Sequence, residues 1–301
     1  MKKYFSISLL PHTSILNNLT GVLVLYLRPF MNAFAKESHL QKSAEYIRSF
    51  SHRIPATAVV LGSGLGYFAE ALQSSIVLNS RAIPHFPSPT VPGHDGRLIF
   101  GQVNGTEVIA IQGRSHYYEG KSLAEVTYYV QLLARLGIRN LILTNAAGGI
   151  NPVLKPGDLV LLNDFINFSQ INVLPQNRYP QLFFSQKLSQ IARRSAARTG
   201  ITLYEGCYCW TSGPSYETHA EVAIMQELGG DVVGMSTVPE LIMGAYLRLN
   251  MLGISLVTNL AAGLSPTPLT HTEVQTAADE IRESYSSYMM NLIIAIGTDE
   301  T

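Results

Sequence analysis

The stretch Gly213-Pro214-Ser215-Tyr216-Glu217-Thr218-His219-Ala220-Glu221 sets a turn, an aromatic ring and a carboxylate directly ahead of a helix start. Thr218 and Glu221 have the spacing of a capping box, each side chain closing the other's free backbone N–H. Val222, Met225 and Leu228 continue an apolar stripe to Gly229. Glu217 therefore falls just outside the helix. A carboxylate held there can accept two hydrogen bonds from a flat ligand while Tyr216 covers the ligand's face. The competing structural reading is an acidic residue that only complements the helix dipole.

Other polar groups gather at comparable places. Gly62-Ser63-Gly64-Leu65-Gly66 follows an apolar run at 57–61 and precedes a short helical stretch near Tyr67. Such a loop wraps an anion with backbone N–H groups, and the Ser63 hydroxyl is a further donor. The third glycine falls one residue early for the dinucleotide fingerprint Gly-x-Gly-x-x-Gly, and no acidic residue follows at the expected strand end, so a phosphate-sized anion fits better. In Gly113-Arg114-Ser115-His116-Tyr117-Tyr118-Glu119-Gly120, extended backbone would project Arg114, His116 and Tyr118 to one side. A guanidinium fork, an imidazole and a phenol there suit a phosphate and an adjoining polar ligand. A surface strand with snorkelling side chains is the plainer alternative.

His94 lies in the loop Val91-Pro92-Gly93-His94-Asp95-Gly96, where turn hydrogen bonding and function weigh equally. Thr144-Asn145-Ala146-Ala147-Gly148-Gly149 are small residues just past a strand end, where open α/β sheets bind ligands, and Ala146 would contribute its N–H. Ser236 stands immediately before the cap Thr237, with Met235 beside it, at the positive end of a helix. Asn259 ends the run at 254–258, and His271 opens the last helix. Each of these has a structural explanation; their shared position at strand ends and helix starts points to one site.

The elements that must position these groups read as an α/β fold. Apolar β-branched runs at 57–61, 97–103, 106–111, 140–144, 158–162 and 254–258, with a seventh at 204–211, alternate with helical periods. Capping boxes open helices at Ser122 with Glu125, running to Gly137, at Thr237 with Glu240 and at Thr270 with Glu273. No repeat or linker interrupts residues 56–301, so one domain is the economical organisation. Of 301 residues, 47% are hydrophobic and 21 basic balance 21 acidic ones, so nothing in the composition supports a nucleic-acid or anionic-membrane partner. Cys207 and Cys209 alternate along one strand and point to opposite faces, which argues against a disulfide between them.

Residues 1–35 differ. Lys2 and Lys3, an apolar run at 19–27, Arg28-Pro29 and then Ala33-Phe34-Ala35 outline a signal peptide, interrupted by Asn17, Asn18 and Arg28. The run is too short to span a bilayer. Met31 as the true start is the favoured reading, and 36–301 is taken as the domain.

Together these motifs, with Val233-Gly234-Met235-Ser236-Thr237-Val238-Pro239-Glu240 and Thr258-Asn259-Leu260-Ala261-Ala262-Gly263, carry a resemblance to the trimeric purine nucleoside phosphorylase family, in family order from about Ala56 to the C-terminal helix. The resemblance implies a single domain with a mixed, twisted, partly barrel-like sheet surrounded by helices. It implies reversible phosphorolysis of purine ribo- and deoxyribonucleosides to free base and (deoxy)ribose 1-phosphate, a purine-salvage reaction with phosphate as co-substrate and no metal or organic cofactor. By analogy Ser63, His94, Arg114, His116, the Ala146 N–H and Ser236 hold phosphate. Tyr118, Met235 and His271 line the ribose, and Tyr216, Glu217 and Asn259 the purine, with Asn259, His116 and Glu217 as the catalytic set. A homotrimer in the cytoplasm goes with the family.

Asn259 favours inosine and guanosine, since an amide donates to N7 or O6 whereas an aspartate would suit a 6-amino group. A phosphorylase for 6-amino or methylthio nucleosides, and a non-catalytic nucleoside-binding protein on the same scaffold, are the alternatives. The match weakens over 163–184, where family members carry a longer loop with an aromatic residue that reaches the neighbouring subunit's ribose site; Phe168, Phe183 and Phe184 are the candidates here.

Overall fold

A run such as Thr57-Ala58-Val59-Val60-Leu61 has no polar face, so the strand it forms must be covered on both sides. In the computed structural model, which describes residues 33–51, 53–90, 96–174, 178–264 and 271–299, with the side chains of 271–274 excepted, this run is strand β1 (Thr57–Leu61), every residue of it buried. Ala58 and Val60 face one apolar core, Val59 and Leu61 the other. The remaining strands are β2 (Gln73–Asn79), β3 (Arg97–Val103), β4 (Thr106–Gln112), β5 (Asn140–Gly149), β6 (Leu159–Asn167), β7 (Leu203–Trp210), β8 (Val232–Gly234) and β9 (Asn250–Leu260). The helices are α1 (Glu37–Phe50), α2 (Leu123–Val126), α3 (Tyr128–Leu136), α4 (Gln186–Thr199), α5 (His219–Glu227), α6 (Val238–Tyr246), α7 (His271–Glu280) and α8 (Arg282–Asp299).

The strands form one mixed sheet in the order β2-β3-β4-β1-β5-β8-β7-β6-β9. Because β5 also pairs with β9, the strands β5, β8, β7, β6 and β9 close into a small barrel, and β2-β3-β4-β1 extends from β5 as an open wing. The α/β class and the barrel-like sheet are therefore as expected. The core on one face of β1 includes buried residues of α1, α3 and α6, and the core on the other face includes residues of α4 and α8. Along α8, Tyr285, Tyr288, Met289, Leu292, Ile293 and Ile296 recur at helical spacing and are all buried. Among the described residues no helix is long and apolar enough to cross a membrane.

Several elements differ from their sequence reading. The small residues 145–149 do not lie past the strand end but belong to β5: they pair in parallel with β9 from Asn145↔Ser255 to Gly149↔Leu260. Glycine permits this, since a Cβ at Gly149 would meet Val257 Cγ1 at 3.1 Å. β2, mostly exposed and without an apolar face, and the three-residue β8 escaped the pattern. The helix that opens at Ser122 keeps its capping box but breaks at Thr127, whose hydroxyl donates to Leu123 O at 2.7 Å. Leu228 does not continue the stripe of α5: Val222 and Met225 are buried, and Leu228 is 59% exposed. At the other end, Ala33 is buried, and its carbonyl accepts from Gln131 Nε2 at 3.1 Å.

Candidate active site

Backbone groups left unpaired at strand ends, and the widening between strands as a sheet twists, make the carboxyl edge of a parallel sheet a place for ligands. Here β1, β4, β5 and β9 run parallel through neighbouring pairs, and the segments that follow β1, β4, β7 and β8 meet the ends of β5 and β9 around one open cavity. The cavity brings together ten of the twelve residues expected from sequence: Ser63, Arg114, His116, Tyr118, Ala146, Tyr216, Glu217, Met235, Ser236 and Asn259. His94 lies outside the described residues. His271 begins α7, and its side chain lies outside the description.

One side of the cavity is built for negative charge. Gly62 lets β1 approach β5 closely, since a Cβ there would stand 2.6 Å from Asn145 Cα, and its N–H donates to Thr144 Oγ1 at 3.1 Å. That contact fixes the loop on which Ser63 reaches the cavity. The Arg114–Tyr118 segment is not a continuous extended strand: His116 caps a 3-10 helix, Tyr117–Glu119, closed by Gly120 in the left-handed region. Tyr118 nonetheless returns to the cavity and stacks on His116, with ring centroids 4.8 Å apart and planes at 17°.

Arg114 is buried and its guanidinium is already engaged. Nη1 lies 3.3 Å from Glu240 Oε1, and Nη2 donates to the Thr144 carbonyl. Burial works against its charge, but Glu240, together with Tyr129 and Tyr208, more than offsets this and raises its pKa above the usual value. His116 Nδ1 lies 3.2 Å from Glu119 Oε1. Burial alone would raise the Glu119 carboxyl; donors from His116 and from the Thr90 N–H and hydroxyl overcome it and hold the group at about 2. Ser236 N–H donates to Tyr208 Oη at 3.4 Å, and Thr237, at φ +72°, turns its own N–H to Glu240.

The other side suits a flat polar ring. Thr211 Oγ1 donates to Glu217 Oε1 at 2.7 Å, which orients the carboxylate and leaves its second oxygen for a ligand. Asn259 accepts at Oδ1 from Thr258 Oγ1, 2.8 Å, and donates one Nδ2 hydrogen to the Leu260 carbonyl, 3.0 Å; the amide keeps a second hydrogen to give. Tyr216 is 47% exposed at the rim. A Cβ at Gly213 would meet Met235 Sδ at 2.5 Å and Tyr118 at 3.0 Å, so the Gly213-Pro214 turn can lie against these two only as glycine. Burial pushes the Tyr118 hydroxyl up to about 12, so it enters as a neutral donor or acceptor.

Sequence reasoning passed over Asn145, Thr258 and Val233, which also line the cavity, and over Glu240 and Tyr129 behind it. Asn145 belongs to the small-residue run at 144–149, and Glu240 has the spacing of half a helix cap. Their signal is burial and pairing across the fold, which spacing along the chain does not carry. Phe183 packs edge-on to Phe165 at 4.9 Å, Phe184 lies against the main core, and Phe168 against the cluster of Ile150, Val222 and Met225.

Residues 56–293 match the family model described as the phosphorylase superfamily. The chain is 38% identical to Purine nucleoside phosphorylase 1 of Geobacillus stearothermophilus over 84% of its length and 96% of the relative's. It is 40% identical to purine nucleoside phosphorylase of Rattus norvegicus over 76% of its length and 83% of the relative's. Among solved structures it is similar to Schistosoma mansoni purine nucleoside phosphorylase in complex with inosine, with a TM-score of 0.79, 32% identity, and coverage of 86% of this chain and 97% of that one.

Proposed function

The chain belongs to the phosphorylase superfamily, among the purine nucleoside phosphorylases, and from that membership and the cavity we propose that it cleaves inosine and guanosine, with their deoxy counterparts, by reversible phosphorolysis. The observation that carries this reading is one cavity with Ser63, Arg114, His116 and Ser236 on one side and Glu217 and Asn259 on the other. Related structures with hypoxanthine and with inosine bound support the substrate class.

The chemistry follows from where charge develops. As the C1′–N9 bond breaks, positive charge grows on the ribosyl ring and negative charge on the departing purine. Phosphate, held by Ser63, Arg114, His116, the Ala146 N–H and Ser236, a set to which the family resemblance adds His94, supplies a counter-charge beneath C1′ and forms the new C1′–O bond. The purine leaves with the bonding pair and gains a proton, so free base and ribose 1-phosphate balance nucleoside and inorganic phosphate. Tyr118 and Met235 flank the sugar, a pair to which the family resemblance adds His271, and Tyr216 covers the base. Glu217 accepts from the N1 edge through the oxygen that Thr211 leaves open. Asn259 uses its second Nδ2 hydrogen toward N7 or O6, a contact that strengthens as charge accumulates there. A preorganised donor of this kind is worth about 3 kcal/mol, roughly a hundredfold in rate. Phosphate is a co-substrate, and the scheme calls for no cofactor. A homotrimer in the cytoplasm accompanies the reading on the strength of the family resemblance.

Asn259 is the test of base choice. Replacing it by aspartate takes away the donor to a 6-oxopurine and, in the protonated form, suits a 6-amino group. For Asn259→Asp we expect kcat/KM for inosine to fall about a hundredfold while that for adenosine rises relative to it. An unchanged inosine-to-adenosine ratio would remove Asn259 from base recognition.

A further inference from the structure

Behind the anion side of the cavity lies a charge that the proposed reaction does not itself use. Glu240 is fully buried on the first turn of α6, and its two oxygens hold three elements at once. Oε1 faces Arg114 Nη1 at 3.3 Å and accepts from the Tyr129 hydroxyl of α3 at 2.7 Å. Oε2 accepts from the Thr237 N–H and lies 3.5 Å from Arg114 Nη1. Thr237 is a β-branched residue at φ +72°, a backbone conformation that persists only when its surroundings impose it. Asn145 Nδ2 grips its hydroxyl from the opposite side at 3.0 Å.

We propose that Glu240, tuned by Tyr129, is a positioning residue that sets the charge of the anion side: it offsets Arg114 so that this side meets phosphate as a nearly neutral, fixed array of donors. The inference rests on the reading of the cavity as a phosphate and nucleoside site. A buried guanidinium with no carboxylate partner would clamp a dianion tightly in the ground state, and binding that does not grow toward the transition state adds nothing to turnover. Paired with Glu240, Arg114 keeps its direction and its charge, but the pair as a whole carries little net charge. The Tyr129 O–H shares the same oxygen, draws part of the negative charge away from Arg114, and so sets how far that offset goes.

Two substitutions at this carboxylate should act with opposite sign. Glu240→Gln is nearly isosteric, and the Tyr129 hydroxyl can turn to accept from the new amide. It leaves Arg114 uncompensated, so phosphate should bind about tenfold more tightly, kcat should fall, and added phosphate should restore the thermal midpoint lost in its absence. Tyr129→Phe leaves Glu240 Oε1 to Arg114, with Oε2 still on the Thr237 N–H, so phosphate should bind several-fold more weakly, with KM for inosine unchanged. The dissociation constant is read from the rise of the thermal midpoint with inorganic phosphate, which needs no activity, and is compared with KM for phosphate and for inosine.

A merely structural Glu240 would lower the midpoint of both variants by the same amount at every phosphate concentration. Parent-like phosphate affinity in both folded variants, or a shift of the same sign in both, overturns the inference. A parent protein that neither binds phosphate nor releases base with it would instead overturn the functional reading beneath.

Discussion

His116 points Nδ1 at Glu119, and that carboxylate also accepts from the Thr90 N–H at 2.7 Å and from the Thr90 hydroxyl at 2.6 Å. The donors hold its folded-state pKa at about 2, below the ordinary 4.5. A group depressed in this way adds stability that is fully present above its unfolded value and drains away as pH falls from about 4.5 through about 2. Glu119→Gln should therefore flatten the fall of the thermal midpoint across that window while lowering it near neutrality. An acid limb as steep as the parent's would show that Glu119 contributes nothing special. At this scale the sequence was informative where chemistry depends on residue type: Arg114, His116, Glu217 and Asn259 were each singled out and each reaches the cavity. It was silent on their partners. Thr211 lies six residues from Glu217 and Glu240 lies 126 from Arg114, and neither contact leaves a periodic trace in the chain.

Strand ends and helix starts deliver these side chains, so the spacing between strands matters as much as the residues on them. Just past β1, Gly62 lies close against β5: a Cβ there would stand 2.6 Å from Asn145 Cα and 2.8 Å from the Thr144 carbonyl, both backbone atoms that cannot swing aside. Gly62→Ala should cost about 1–3 kcal/mol of stability and raise the KM for phosphate, because it displaces Ser63 and Asn145 together. Equal stability and equal KM would mean that the loop adapts freely. The elements most legible beforehand were those with a strong local rule: the two-sided apolar strands β1 and β3 to β5, and the capping boxes at Ser122, Thr218 and Thr237. β2 is a mostly exposed edge strand paired with β3, with Leu78 alone of its residues buried, and β8 spans three residues, so neither had enough pattern to register. Residues 145–149 read as lying just past a strand end, whereas smallness is what lets them continue the strand between Val233 and Val257.

For the whole molecule, closure of five strands into a barrel beside a four-stranded wing puts the carboxyl ends of β1, β4, β5 and β9 around one opening, with the segments after β7 and β8 completing its wall. The barrel itself was expected through family resemblance; alternation of apolar runs speaks of a covered sheet but says nothing of β9 returning to β5. The central claim is that this opening holds an anion under a sugar whose base is leaving. The most direct measurement is phosphorus NMR of the protein mixed with inosine and inorganic phosphate, alongside the absorbance of released hypoxanthine. Ribose 1-phosphate should appear mole for mole with hypoxanthine, and base release should stop when phosphate is withheld. Free ribose formed at an undiminished rate without phosphate would contradict the account and make the protein a hydrolase.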